Sequence, residues 1–438
     1  MSDRIEKGAG RTATRHTIRV ALVVAAILLA LPGAVLYLAS YFWGGWLLAG
    51  AAFLAAAARL LSGRGRKAGI AWLKVVLSRA LIPVIGIGCA LAIGAIIMLA
   101  TGYDPAASYA ALFYGGLVRN WSVSVLNAVP LIFTGLAIAF AFQGGLFNIG
   151  AEGQYYIGVI AATWLGLRMN LPPQLGIPLI FVTGMVFGAA LNAIPAVLKV
   201  KTGAHEVVTT MMFAYAMKTV APIFIRANGG DPTHSSHPLT TDQISDKVFL
   251  PLFKTFLPNA NYRLHAGILL AIVTALVVQF ILRRTNLGYK IRAVGFNPVA
   301  ARTQGIPVAW ITMASLLISG AIAGLAGVTQ VLGLDHRMYG DLNAGYGWNG
   351  VSIALLARNN PVAIIFTSIL WGVLDAGGQY MARTVHTPNA IIEIIKSIIL
   401  FLMLAETIYE HFGSKIRGWI DSLRRRREAK ANVEGGRA

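Results

Sequence analysis

The feature that most constrains the fold is a series of apolar stretches, each long enough to cross a lipid bilayer. A membrane-spanning helix needs about 20 apolar residues, and a spanning backbone must satisfy its own hydrogen bonds. The stretches lack the alternating pattern of membrane β-strands. The sequence therefore predicts an all-α polytopic membrane protein. The eleven apolar segments are centred near Leu28, Ala51, Ala90, Phe133, Gly158, Met185, Phe213, Val273, Ser319, Ile369 and Ile398.

Positive charge is concentrated between the apolar segments. The net charge is +20, although only 12% of the 438 residues are charged. Membrane proteins retain Lys and Arg in cytoplasmic loops, which explains this excess, and no nucleic-acid partner is predicted. The clusters lie at residues 4–19, 59–79, 199–201, 283–302 and 415–427. Placing all of them in the cytoplasm predicts that both termini are cytoplasmic and that the polar loop before Gly267 is outside.

A short apolar stretch, residues 346–357, is needed to complete this topology. Eleven crossings would leave the four arginines at residues 424–427 outside the membrane. Only YGWNGVSIALLA can supply another crossing, and it is too short to span the bilayer alone. We predict a half-helix that is entered through irregular backbone around Gly340 to Asn349, giving about 11–12 transmembrane segments. Transporters place such broken helices at their substrate path.

A carboxylate, Glu152, lies in the otherwise apolar stretch GGLFNIGAEGQYY. The glycine pair is expected to end the preceding helix. Asn148 is predicted to be the N-cap of the next helix, with Glu152 near the positive end of its dipole. Alternatively, Asn148, Glu152 and Gln154 line an aqueous path or a subunit contact, because ionisable groups inside spans are functional candidates. Both interpretations stay open. Together with Asn349, these residues form the predicted helix-break or translocation-path set.

Residues 287–308, LGYKIRAVGFNPVAARTQGIPV, predict two short helices joined by a fixed elbow. Gly288 is expected to release the chain from the preceding span, and Gly295 to end the first helix. Asn297 followed by Pro298 is a strong start signal for the second. We call this segment the knob. Its predicted functional residues are Lys290, Arg292, Gly295, Asn297, Pro298, Ala300, Arg302 and Gly305, and its predicted apolar side comprises Ile291, Val294, Val299 and Ala300.

The chain divides into three predicted parts. The glycine- and cation-rich stretch at residues 62–69 separates two extra transmembrane helices, in residues 1–69, from a core at residues 70–410. Residues 411–438 form a basic cytoplasmic tail. No GxxxxGK[ST] motif occurs, so the chain is not predicted to bind ATP itself or to act as an enzyme. The single Cys89 argues against a cysteine metal site, and no metal or other cofactor is predicted.

Four motifs resemble the permease subunits of nucleoside-type ABC importers, a group that includes ribose, simple-sugar and branched-chain amino-acid permeases. They occur in family order as FNIGAEGQYYIG, GAHEVVTTMM, the whole knob, and GYGWNGVSIALLARNNP. The resemblance covers about residues 79–406. It implies a second permease subunit, a cytoplasmic ATPase that binds the ATP, and an extracytoplasmic solute-binding protein, all at a bacterial inner membrane. The knob is then expected to dock the ATPase.

The predicted function is that of the transmembrane permease subunit of an ATP-driven, binding-protein-dependent importer for nucleosides. One alternative is the same machine moving a simple sugar. Another class, an ion-coupled secondary transporter, would need several ionisable groups in its spans. The acids in or near predicted spans are Glu152, Glu206, Asp375, Glu393 and Glu406.

Overall fold

The computed structural model describes residues 86–229, 239–253, 263–340 and 345–404, and helices account for most of them. Within these ranges no β-strand is formed, and backbone pairing is limited to two isolated bridges, Thr240 with Tyr339 and Leu252 with His265. The helices are α1 Gly86–Ala100, α2 Pro105–Phe113, α3 Trp121–Gln143, α4 Ala151–Arg168, α5 Pro173–Thr202, α6 Glu206–Asn228, α7 Gly267–Arg284, α8 Asn286–Phe296, α9 Pro298–Thr303, α10 Val308–Gln330, α11 Tyr346–Leu356, α12 Pro361–Thr384 and α13 Ala390–Leu404.

Six of these helices, α3, α5, α6, α7, α10 and α12, are long and apolar enough to cross a membrane. The prediction of an all-α polytopic membrane protein is therefore confirmed. Each predicted apolar segment from Ala90 to Ile398 lies in a helix. The segments centred near Leu28 and Ala51 lie outside the described residues, as do residues 1–69 and 411–438, so the predicted extension and tail stay predictions.

Side-chain caps set the starts of several helices. Asp104 accepts a hydrogen bond from the backbone N of Ala106 at the start of α2. Asn360 accepts from the backbone N of Val362 (3.0 Å) and Ala363 (3.4 Å) at the start of α12. Such side chains satisfy N–H groups that have no partner within the helix. Both helices also have a proline at the first position, where no N–H is needed.

A glycine seam joins α5 to α10 near the centre of the bundle. A Cβ atom on Gly188 would overlap the backbone of Gly320, and one on Gly324 would overlap the backbone of Gly184. Helices in lipid associate through close backbone approach of this kind, because there is no hydrophobic driving force between them. These glycines therefore allow the backbones of α5 and α10 to come into contact.

The two ends of the bundle differ in structure. At one end, the segment 239–253 runs along the chain that follows α10, with hydrogen bonds from Thr241 N to Met338 O (2.9 Å) and from Leu250 N to Leu332 O (2.8 Å). Ser245 N also donates to the carbonyl of Gly166 near the end of α4 (3.2 Å). We call this the cap end. At the opposite end, where α10 begins, lie α8 and α9.

Candidate functional site

The N-terminal ends of α4 and α11 meet inside the bundle. A Cβ atom on Gly347 would overlap the backbone of Glu152, so the first turns of the two helices are in main-chain contact. Thr134 donates a 2.9 Å hydrogen bond to the carbonyl oxygen of Tyr346. Thr134 lies about 14 Å along α3 from its end at Gln143, so the meeting point lies well inside the length of this spanning helix. α11 is thus the predicted half-helix, and its existence is confirmed.

The carboxylate of Glu152 lies between these two helix ends. Its Oε2 atom accepts a 2.6 Å hydrogen bond from the backbone N of Gly347, and the side chain is buried. The N–H groups of Gly345 and Trp348 also bond to it. Each helix N-terminus carries a partial positive charge, and an anion there contributes about 0.3–1 kcal/mol, up to about 2 in partly buried sites. This one carboxylate therefore stabilises the N-terminal ends of both helices, which explains why a single acid lies in this apolar region.

Asn349 fixes the direction of the half-helix. Its side-chain oxygen accepts a 3.2 Å hydrogen bond from the indole Nε1 of Trp371 on α12. Gly350, in the next position, packs against Thr134 so closely that a Cβ would lie 2.7 Å from the threonine hydroxyl oxygen. At the far end, Gln143 donates to the carbonyl of Asn359 (3.3 Å), which places the end of α11 beside the end of α3. Contacts with α3 and α12 therefore fix the half-helix both at its first turns and near its C-terminal end.

Asn148 is not the N-cap of α4, and that part of the prediction is wrong. The cap position is Gly150, and the Asn148 side chain accepts a 3.1 Å hydrogen bond from its backbone N. Asn148 and Gln154 exchange two side-chain hydrogen bonds (2.9 and 3.1 Å), and Asn148 also donates to the hydroxyl of Ser319 (2.8 Å). All three side chains are buried. The network attaches the irregular chain before α4 to α10, because a buried amide must satisfy its own polar groups.

The knob has the two predicted helices, α8 and α9, joined at Asn297. The Asn297 side chain accepts from Val299 N and Ala300 N, both at 3.0 Å, and Pro298 is the first residue of α9, as predicted. Gly305 follows α9 with φ +76°, a conformation that glycine adopts without strain. The elbow is therefore built by local capping. The docking role of the knob stays a prediction.

Gly288 does not act as a break, and that prediction is wrong, whereas the first helix does end beside Gly295, as predicted. Gly288 and Gly295 both lie within α8, which ends at Phe296. A Cβ on Gly288 would overlap the backbone of α7 near Ile281, and one on Gly295 would overlap the carbonyl of Gln143. The helix continues through Gly288 because close packing, which only glycine permits, outweighs the low helix propensity of glycine.

The exposed surface of the knob also differs from the prediction. Ile291 and Val294 are buried, whereas Val299 and Ala300 are exposed. Phe296 is 90% exposed, which makes it the most accessible large apolar side chain of the described residues. Of the predicted cations, Arg302 is exposed and Lys290 and Arg292 are half-buried. The apolar tip of the knob is therefore formed by Phe296 and Val299.

A cavity of about 360 Å³ lies beside the contact between the knob and the turn that precedes α4. Two cations, Lys199 and Arg302, line it together with Gly145 and Val294. Lys199 also forms a 2.8 Å ion pair with Glu206, the first residue of α6. Glu206 thus lies in the first turn of its helix, where its charge complements the dipole.

The buried ammonium group of Lys396 on α13 is neutralised by two carboxylates. It pairs with Asp375 of α12 and, at 2.9 Å, with Glu393 one turn earlier on its own helix. Asp375 and Glu393 are two of the acids that the secondary-transporter alternative would require. Both are engaged by a lysine, an arrangement that stabilises charge within a bundle. Sequence reasoning missed Lys396, although its i, i+3 spacing from Glu393 was a usable signal.

Comparison with known proteins places the chain in a family. Residues 121–405 match the family model described as the permease component of the branched-chain amino acid transport system. The chain belongs to this family of ABC transporter permeases. The matched region contains α3 to α13, and with them both the helix break at Glu152 and the knob.

Three curated relatives cover most of the chain. The guanosine ABC transporter permease protein NupP of Bacillus subtilis is 35% identical over 78% of this chain and 97% of its own length. The glucose ABC transporter permease protein TsgB13 of Haloferax volcanii is 31% identical over 81% and 94%. The nucleoside ABC transporter permease protein NupB of Lactococcus lactis is 34% identical over 76% and 92%. This chain is accordingly a permease subunit of an ABC importer, and it is a multi-pass membrane protein.

Proposed function

We propose that this permease moves nucleosides inward, together with a second permease subunit, a cytoplasmic ATPase and an extracytoplasmic binding protein. The observation that carries the proposal is the similarity to NupP and NupB, which spans nearly the whole length of both. The half-helix α11 and the buried Glu152 support a solute path near the bundle centre, because broken helices accompany such paths in transporters. The similarity to a glucose permease supports a simple sugar as the second candidate solute.

Uptake by the assembled transporter tests the solute. The four proteins are reconstituted in liposomes with ATP on the ATPase side, and radiolabelled guanosine, uridine or glucose is offered with the binding protein. We expect nucleoside accumulation that requires both ATP and the binding protein. Glucose uptake alone would support the sugar alternative. Accumulation by this chain alone, driven by a proton or sodium gradient, would support a secondary transporter.

The membrane orientation is part of the proposal. The cationic knob and the basic ends of the chain favour a cytoplasmic position for both termini and for the knob, in the inner membrane of a bacterium. Exposed Asp242 at the cap end and exposed Thr303 on α9 are suitable reporters. In a Cys89→Ala background, a membrane-impermeant thiol reagent applied outside cells should label Asp242→Cys and spare Thr303→Cys. The reverse pattern would invert the topology.

We propose that the tip of the knob docks the ATPase. The proposal is supported by the exposed apolar side chains of Phe296 and Val299. They lie at the tip of the knob, whose second helix is capped by Asn297. An exposed apolar tip of this kind favours a protein contact. Arg302 adds a nearby positive charge. Removal of the apolar tip should therefore weaken ATPase binding without disturbing the bundle.

Co-purification of the ATPase tests the docking. Phe296→Asp and Val299→Asp should each abolish it, while membrane insertion stays normal. The matched control is Leu239→Asp, which adds the same charge at an exposed apolar position of the cap end, at the opposite end of the bundle from the knob. Ala300→Glu tests the exposed face of α9, whereas Gly295→Trp would also displace Gln143 and so tests packing. Normal co-purification with both aspartate variants would place the coupling contact elsewhere.

A further inference from the structure

The cavity beside the knob has a positively charged lining. The charged residues of the described chain that line it are Lys199, in the last turn of α5, and Arg302, on α9. Lys199 is paired with Glu206, but an ammonium group has three hydrogen-bond donors and retains two of them for another anion. Arg302 is exposed, and its guanidinium forms no ion pair within the described ranges. The cavity therefore has an uncompensated positive charge.

The start of α10 adds positive potential to the same cavity. Val308 and Ala309, the first two residues of this helix, are part of the lining. The first N–H groups of a helix have no partner within it, and no described side chain caps the start of α10. Free N–H groups and the positive end of the helix dipole together favour a bound anion.

Thr312, one turn further along α10, supplies a polar group that has no partner. Its side chain lines the cavity and is only 9% exposed. The Thr312 hydroxyl makes no hydrogen bond within the part of the chain that the structure describes, whereas the hydroxyl of Ser315 donates to the carbonyl of Ile311 at 2.7 Å. Buried hydroxyl groups are normally hydrogen-bonded, because burial without a partner is costly. A bound group that accepts a hydrogen bond here would provide the missing partner.

The cavity has room for such a group. Its volume is about 360 Å³, and three glycines, Gly144, Gly145 and Gly295, form part of its lining. Because they have no side chains, the space between α5, the knob and the start of α10 stays open. Ligand pockets in proteins start at about 300 Å³, so the volume suits a small anionic group.

We propose that this cavity binds a phosphate group through Arg302, Lys199, Thr312 and the start of α10. A phosphate group has several acceptor oxygens, and guanidinium, ammonium, hydroxyl and backbone N–H groups all donate to them. The nearby carboxylate of Glu206 is already engaged by Lys199, so it opposes the anion only weakly. The assignment does not depend on which solute the permease moves.

A phospholipid headgroup is the favoured source of the phosphate. Trp310, the third residue of α10, is 58% exposed beside the lining residue Ala309. Exposed tryptophan is typical of the headgroup level of a membrane, and basic pockets between spanning helices bind anionic headgroups. Inorganic phosphate is the soluble alternative. A bound headgroup would connect α5, α9 and α10, and would thus hold the knob against the bundle.

Binding of radiolabelled probes by the purified full-length chain tests the site. Phosphatidylglycerol, phosphatidylcholine with the same acyl chains, and inorganic phosphate are each offered to delipidated protein in an uncharged detergent. We expect phosphatidylglycerol to bind most tightly, because the choline ammonium of the second lipid is repelled by the cations. Arg302→Gln should weaken binding at least about tenfold, through loss of a charge-assisted hydrogen bond, and Thr312→Val about threefold.

Two further variants serve as controls. Arg337→Gln removes the same charge at the cap end, where Arg337 donates to the side chain of Gln243 (3.3 Å), and should bind phosphatidylglycerol as the wild type does. Arg302→Lys keeps the charge and should retain most of the binding. Melting temperatures measured without lipid show whether each variant is folded.

The outcomes distinguish the sources of the phosphate. If inorganic phosphate binds and both site variants weaken it, the site stands with a soluble ligand. Phosphatidylglycerol binding that is unchanged in folded Arg302→Gln and Thr312→Val would overturn the proposal, as would the absence of binding by every probe. If no probe binds and Arg302→Gln loses the ATPase, the cation belongs to a contact with an acidic group of that protein. None of these measurements uses nucleoside uptake, so failure of the site leaves the proposed function standing.

Discussion

The carboxylate of Glu152 on α4 accepts a 2.6 Å hydrogen bond from the backbone N–H of Gly347 on α11. The two residues are the second members of their helices, and the helices begin at the same point in the bundle interior. Two positive helix ends that face each other would repel, and a negative charge between them removes that repulsion. The charge of Glu152, and not only its shape, therefore stabilises the break.

Glu152→Gln should fold and transport poorly. Glutamine retains an oxygen that can accept the bond from Gly347 but lacks the charge that both helix ends share. We expect a loss of about 1–2 kcal/mol of stability, too little to unfold the bundle, and reduced nucleoside uptake at normal expression. Asp104→Asn is the control, because asparagine caps a helix as well as aspartate does. Normal uptake by the glutamine variant would show that the charge of Glu152 is not needed for transport and that the role of the residue is structural.

Gly347→Ala should destabilise the protein. The added methyl group would overlap the backbone of Glu152, so α4 and α11 must separate. Overpacking of this kind costs about 1–3 kcal/mol, which thermal unfolding of the purified protein can measure. Gly88→Ala serves as the control because nothing lies within 4 Å of the added atom in α1. Equal melting temperatures for the two variants would contradict the close contact.

Lys396→Met should lower the stability of the protein much more than Lys396→Met combined with Asp375→Asn. The substitution leaves the carboxylate of Asp375 without its buried partner, and breaking such a pair costs about 3–5 kcal/mol. Lys396→Met combined with Asp375→Asn removes both charges and should recover most of the loss. Lys247→Met, at an exposed lysine bonded to Asn170, should change little. The measurement is the melting temperature of each variant, and an unrescued double variant would argue against the pair.

The cap end should lose stability as the pH falls. Burial, with a smaller contribution from His336, lowers the pKa of His265 from 6.5 to about 4. Its neutral Nδ1 accepts a 3.0 Å hydrogen bond from Gly267 N. Because the pKa is lower in the folded state, this stability is present above pH 6.5 and is lost as the pH falls toward 4. The difference corresponds to about 3 kcal/mol.

Melting temperatures at pH 7.5 and 4.5 measure this dependence. The decrease on acidification should be smaller in His265→Asn, whose side-chain oxygen can accept the same bond without titrating. His205→Gln is the control, because His205 is exposed at the start of α6. An equal decrease in the wild type and in His265→Asn would assign the pH dependence to other groups.

The fold could be predicted to a large extent, because its strongest determinant is local. Backbone that faces lipid must be helical, so the long described segments were recognisable from composition and charge alone. The half-helix followed from the topology, since one crossing was missing. Asn297 and Pro298 also acted as predicted, because a cap is a property of adjacent residues.

The site was less predictable, because its contacts join distant parts of the chain. Gly288 has the pattern of a helix break, yet its role is to admit the backbone of another segment. Asn148 resembles a cap, but its amide bonds to Gln154 and Ser319. Which of these alternatives holds depends on tertiary packing, which outweighs local propensity.

The contact between Gly295 and the turn before α4 has a mechanical consequence. A Cβ on Gly145 would lie 3.1 Å from the Cα of Gly295, so two main chains touch with no side chain between them. Side chains can change rotamer and absorb a displacement, whereas touching backbones cannot. A force applied to the tip of the knob is therefore passed directly to the chain that leads to Glu152. The glycines make this junction stiff, so a displacement of the knob reaches the turn before α4 with no side chain to absorb it.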